Sequence, residues 1–268
     1  MIGVELRAML RRPRTWVVIL LLDALPTLVA ILLAFTKIGP RPGQGPAFLS
    51  AVLSNGQLFP LAALAIVLPL FLPVAVAVIA GDAVAGEAQA GTLRYLLIRP
   101  VGRVRLLFAK LVSVVAFVVL AVLVVAATAY LTGTNLLGRS SLATGLSGTS
   151  LTQQDVVIRT AIAIGYVALS MLGVAAVALF FSTVTDSPLA ATLGALALLI
   201  ASSLLLTLDA ANALQPYLPT RYWFAFVDLF RDPIPARDLW RGIGLQAVYV
   251  AVFLGASWAN FASKDITS

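Results

Sequence analysis

Eleven carboxylates, eighteen cations and a scatter of hydroxyls make up the reactive inventory of this 268-residue sequence, which contains no histidine and no cysteine. Imidazole bases, thiolate nucleophiles, disulfides and His/Cys metal sites are excluded together. The three lysines, Lys37, Lys110 and Lys264, each follow a residue other than glycine, so no Gly-x-x-x-x-Gly-Lys phosphate loop exists. The closest approach to a serine-hydrolase elbow is Gly145-Leu146-Ser147-Gly148-Thr149, one residue out of pattern and without a histidine to activate the serine. This inventory predicts a chain that is not an enzyme and binds neither metal nor cofactor.

Charge concentrates instead in one connection, with Glu87 on one side and Arg94, Arg99, Arg103 and Lys110 on the other. Within it Leu93, Leu96 and Leu97 fall at i, i+3 and i+4, the apolar stripe of a short helix. Pro100 closes that helix, because a residue before proline leaves the α region. Such an element either lies on a membrane surface or docks a partner. A second polar point is Asp23, seven residues inside an apolar run that begins at Trp16. It marks either a substrate path or a pairing with a basic residue near the same leaflet. Pro69 and Pro73, spaced i, i+4, share a face of one predicted helix and make either a hinge or a fixed kink. Tyr222, Trp223 and Phe226 belong to an aromatic, proline-cut segment, 209–241, that reads as interfacial.

The elements that must carry these residues follow from composition. Hydrophobic residues are 61% of the chain and charged residues 11%, and the mean hydropathy is +1.03. Soluble domains run about 45–50% apolar and about 25% charged, so a water-soluble fold is excluded. Six apolar stretches reach the ~20 residues a bilayer crossing needs, at 16–36, 58–80, 107–131, 157–181, 188–208 and 242–262. No remaining segment could hold a core of its own, so residues 1–268 read as one transmembrane domain. The Gly/Ser/Thr-rich stretch 132–154 reads as a flexible outer loop. Arg7, Arg11, Arg12 and Arg14 precede the first span against Lys37 and Arg41 after it, which puts both termini on the cytoplasmic side. The net charge of +7 then serves topology and contact with membrane lipid headgroups. Short loops build no nucleic-acid groove. Fifteen arginines against three lysines suit a bacterial source.

The run Glu87…Gly91-Thr92-Leu93-Arg94…Leu96-Leu97…Arg99-Pro100-Val101…Arg103…Lys110 resembles the cytoplasmic signature of type-2 ATP-binding cassette (ABC) exporter permeases. The tail Phe261-Ala262-Ser263-Lys264-Asp265-Ile266 is similar to the way such permeases end. The resemblance implies an all-α integral membrane protein with six transmembrane helices. It adds a cytoplasmic coupling helix between spans 2 and 3, and a short broken or re-entrant segment between spans 5 and 6. It implies a permease subunit in the bacterial cytoplasmic (inner) membrane, moving substrate with ATP and Mg bound by a separate ATPase present in two copies. A second permease chain, identical or different, would complete the pathway. Glu87, Gly91, Thr92, Leu93, Arg94, Leu96, Leu97, Pro100 and Arg103 would then couple to the ATPase. Tyr222, Trp223 and Phe226 would lie near the exit gate. The rival reading is a membrane scaffold or sensor subunit that recruits a cytoplasmic partner without carrying substrate.

Overall fold

A computed structural model describes residues 2–36, 55–91, 103–138, 143–145 and 147–263. Eight helices dominate them: α1 (Ile2–Arg11), α2 (Pro13–Thr36), α3 (Phe59–Val67), α4 (Phe71–Gln89), α5 (Arg103–Leu136), α6 (Gln153–Val184), α7 (Pro188–Leu205) and α8 (Ala236–Ser263). Among the described residues, α2 and α4 to α8 supply six helices long and apolar enough to cross a membrane. The described residues are all-α apart from a hairpin of two-residue strands, β1 (Ala143–Thr144) and β2 (Ser150–Leu151).

Local chemistry sets the helix ends. Pro13 opens α2, where its missing N–H costs nothing. The Thr15 hydroxyl and the Trp16 indole donate to the Met9 and Leu10 carbonyls at 2.8 Å each, satisfying acceptors that the end of α1 leaves open. Thr152 and Asp155 cap α6 reciprocally, and Ser187 followed by Pro188 caps α7. At the end of α4, Gly91 takes φ +65°, the left-handed stop that glycine adopts freely.

The second predicted span, 58–80, is corrected. The chain breaks at 68–70 into α3 and α4, and the crossing helix is Phe71–Gln89. Pro69 and Pro73 each remove a helical N–H, and two such losses one turn apart end the ladder instead of bending it. Their expected shared face is lost as well, since Pro69 sits exposed in the break and Pro73 buried in the first turn of α4. The new span also runs past Ala80, so Asp82 and Glu87 are helical residues. The stretch 132–154 is corrected in part, because α5 continues to Leu136 and the hairpin is pinned by a hydrogen bond from Gly145 N–H to Thr149 O at 2.8 Å.

α6 is the central helix, flanked by α4, α5, α7 and α8, while α2 packs on α5. Small residues allow the close approaches that lipid-embedded helices rely on. A Cβ on Gly81 would meet Thr192 Oγ1 of α7 at 2.7 Å, and one on Gly173 would meet Gln246 Oε1 of α8 at 2.0 Å. One continuous apolar cluster links α2 to α8, and a smaller one joins Val84, Leu106, Leu107, Leu179 and Phe261. α1 and the end of α8 therefore lie at the same end of the bundle.

Candidate functional site

The polar residues gather at that end. Lys110, one helical stretch into α5, is only 3% exposed, and its ammonium donates to Glu87 Oε1 of α4 at 2.5 Å with Glu5 Oε1 of α1 at 3.9 Å. A buried ammonium persists only when paired, and here one cation ties α1, α4 and α5 together. Five residues back along α4, Asp82 pairs with Arg14 in the first turn of α2 and, at 3.4 Å, with Arg12 between α1 and α2. Gly86 leaves room for this carboxylate, since a Cβ there would meet Asp82 Oδ1 at 2.6 Å. A small cavity of about 40 Å3, walled by Met9, Ile79 and Val114 as well, lies among Glu5, Arg12, Arg14, Lys110 and Ser113.

Between these pairs, Ser182 of α6 enters the backbone ladder of α4. Its hydroxyl donates to Gly81 O at 2.6 Å and accepts from Val84 N–H at 3.0 Å and Ala85 N–H at 2.9 Å. A side chain inserted there loosens a helix locally, just before the charged turn that carries Glu87.

Of the expected coupling residues, Glu87 lies in the last turn of α4, Gly91 follows that helix, and Arg103 begins α5. Thr92, Leu93, Arg94, Leu96, Leu97 and Pro100 lie outside the described residues, as does the short helix expected there. Among the described residues Glu87 pairs with Lys110; Arg94 and Arg99 of the connection lie outside them. Asp23, expected to face a substrate path or a basic residue, accepts from the Thr128 hydroxyl of α5 and makes no ion pair among the described residues. Because α2 starts at Pro13, Asp23 is ten residues in, about 15 Å at ~1.5 Å per residue.

At the opposite end, three short 3-10 turns, Asp209–Ala211, Gln215–Tyr217 and Trp223–Phe230, replace regular helix. Trp223 and Phe226 are buried in the main apolar cluster, and Tyr222 packs against it. The segment is held by its backbone. Tyr166 donates to Tyr222 O at 2.7 Å, Gln246 to Pro219 O at 2.8 Å, Tyr249 to Tyr217 O at 3.0 Å and Arg159 to Leu229 O at 2.9 Å.

Sequence reasoning missed Glu5, Asp82 and Ser182. Asp82 had a usable signal, because Arg12 and Arg14 at a membrane boundary call for a counter-charge at similar depth. Ser182 had none, since a serine in an apolar helix carries no mark of a distant backbone partner.

No curated protein matches the sequence. Over residues 27–267 the chain matches, and so belongs to, the family described as Protein of unknown function (DUF2705).

Proposed function

We propose that this chain is the permease subunit of an ABC exporter, working in a bacterial cytoplasmic membrane with both termini cytoplasmic. The observation that carries the reading is the signature from Glu87 to Lys110, whose two ends meet as a buried ion pair at the base of α4 and α5. ATP and Mg belong to two copies of a partner ATPase, and a second permease chain completes the pathway. A connection closed by Lys110 is fastened to α1 as well, through Glu5. A force applied to residues 92–102 therefore acts on three helices at once. Coupling requires only that the ATP-bound partner favour one arrangement of these helices over another.

The test is co-purification of the tagged chain in mild detergent. An ATPase should accompany it, with turnover that depends on this subunit. Leu96→Asp, which puts a charge on the apolar stripe, should abolish co-purification, since loss of an interface anchor costs about 2 kcal/mol or more. Glu87→Ala should keep the complex and uncouple ATP turnover from transport. A stoichiometric, substrate-stimulated complex with Leu96→Asp would remove the coupling role from this connection. A different co-purifying partner, without ATPase activity, would favour a scaffold subunit.

A further inference from the structure

At the end of the bundle opposite Lys110, an apolar groove of about 450 Å3 opens between α5, α6 and the 3-10 turn Gly56–Leu58. Its walls include Leu123 and Ala127 of α5 and Val157 and Ile164 of α6, and among the described residues none that lines it is charged. Three polar side chains also line it: Gln57, Tyr130 and Thr160. Among the described residues Thr160 Oγ1 is buried without a hydrogen-bond partner. Gln57 is only 6% exposed, and among the described residues its side-chain amide has no hydrogen bond, although its backbone N–H donates to Asn55 Oδ1 at 3.0 Å.

Buried polar groups are almost always paired, so a buried unpaired hydroxyl beside an unpaired amide in one apolar groove needs a reason. The backbone holds Gln57 there. Gly56 lies against Gly133 of α5 so closely that a Cβ on Gly56 would meet Gly133 O at 2.0 Å, and Gly56 N–H donates to Gly138 O at 3.1 Å. The groove is also graded. α5 runs toward this end and α6 away from it, so Tyr130 and Val157 lie nearer the bundle end, and Leu123 and Ile164 further from it by about 10 Å at ~1.5 Å per residue.

We propose that this groove binds an uncharged membrane amphiphile, a neutral lipid whose hydroxyl or ester oxygens bond Gln57 and Thr160 while its chain lies along Leu123, Ala127 and Ile164. An apolar cavity with a few placed polar groups is the usual form of such a site. Among the described residues a charged headgroup would meet no counter-charge here. The inference does not depend on the permease reading, because binding needs no ATPase.

The experiment uses the full chain in maltoside micelles with two photoreactive probes that carry the same diazirine acyl chain. One is a monoacylglycerol, the other an anionic phosphatidylglycerol. The monoacylglycerol should label saturably, with adducts in residues 123–130 or 157–164. Gln57→Leu and Thr160→Val should each lower labelling about five-fold, the worth of one hydrogen bond, with melting temperature unchanged or raised. Ala127→Leu, which fills the groove and leaves both polar groups, should block labelling. Equal labelling by both probes, or wild-type labelling of all three variants, would show ordinary boundary lipid and overturn the proposal. So would a large loss of melting temperature in Gln57→Leu with labelling of the folded fraction retained, because Gln57 would then be structural.

Discussion

Lys110, Glu87, Glu5, Asp82, Arg12 and Arg14 join four chain segments at one end of the bundle through side-chain ion pairs. At the other end Tyr166, Gln246, Tyr249 and Arg159 hold the segment 209–241 by donating to its main-chain carbonyls. A main-chain carbonyl is an acceptor fixed by the fold, and the Pro219 carbonyl, buried away from water, has no alternative partner. Side-chain ions are exchangeable: Lys110 serves two carboxylates, and Asp82 serves two arginines. The first end is thus able to rearrange without leaving a charge bare, whereas the second closes the bundle in one arrangement. A permease moved from its cytoplasmic side would need that division.

The largest test of the comparison is Lys110→Met, which removes the cation shared by Glu87 and Glu5. Breaking a buried pair by deleting one partner costs about 3–5 kcal/mol. Thermal unfolding in detergent should show that loss, and the double variant Lys110→Met/Glu87→Gln should recover part of it. A loss below about 1 kcal/mol would mean that charge does not hold this end.

At the carbonyl-anchored end the matching test is steric. Gly56→Ala drives a Cβ into the Gly133 backbone, and overpacking of this kind costs about 1–3 kcal/mol. Gly165→Ala is its control, because a Cβ there meets nothing within 4 Å and alanine favours helix by about 0.5–1 kcal/mol. If the two variants melt alike, the Gly56–Gly133 contact is not what fixes the turn. Ser182→Ala should match the Gly56→Ala loss in size. It removes a hydroxyl that touches Gly81 O and two N–H groups of α4, at about 1–3 kcal/mol for groups left unsatisfied. Hydrogen exchange at residues 81–85 would report it directly. If α4 closes its own ladder, exchange there will slow and the insertion will prove dispensable.

How much of this was legible in the sequence depends on range. Long apolar runs gave six crossings, because membrane length and hydropathy act locally. The second was misplaced, since a hydropathy count does not register two prolines one turn apart, and Gly81-Asp82 reads as a loop when it is helix. Glu87 and Lys110 stood out as charges flanking one connection. That they meet each other, with Glu5 completing the group, depends on how α1 packs on α5, which no local pattern encodes. Asp23 was visible as a mid-membrane carboxylate, but its hydroxyl partner Thr128 lies 105 residues away. Trp223 and Phe226 read as interfacial because aromatic residues mark membrane surfaces, yet here they fill the core beside α6 and α8.

The smallest expected effect sharpens the comparison within the charged end itself. Arg12 and Arg14 are 51% and 45% exposed, while the Lys110 they neighbour is 3% exposed. Exposed pairs contribute about 0–1 kcal/mol each, and at ~0.1 M salt the screening length is already about 10 Å. Arg12→Ala and Arg14→Ala should therefore each shift unfolding by less than about 1 kcal/mol, and less still as salt rises. Lys110→Met should lose about as much at high salt as at low, because solvent ions do not reach a buried pair. Unfolding of all three variants in detergent, measured across a salt series, checks both statements. A salt-sensitive Lys110→Met, or an Arg14→Ala as damaging as Lys110→Met, would make the charged end one uniform ionic surface rather than a buried lock with an exposed rim.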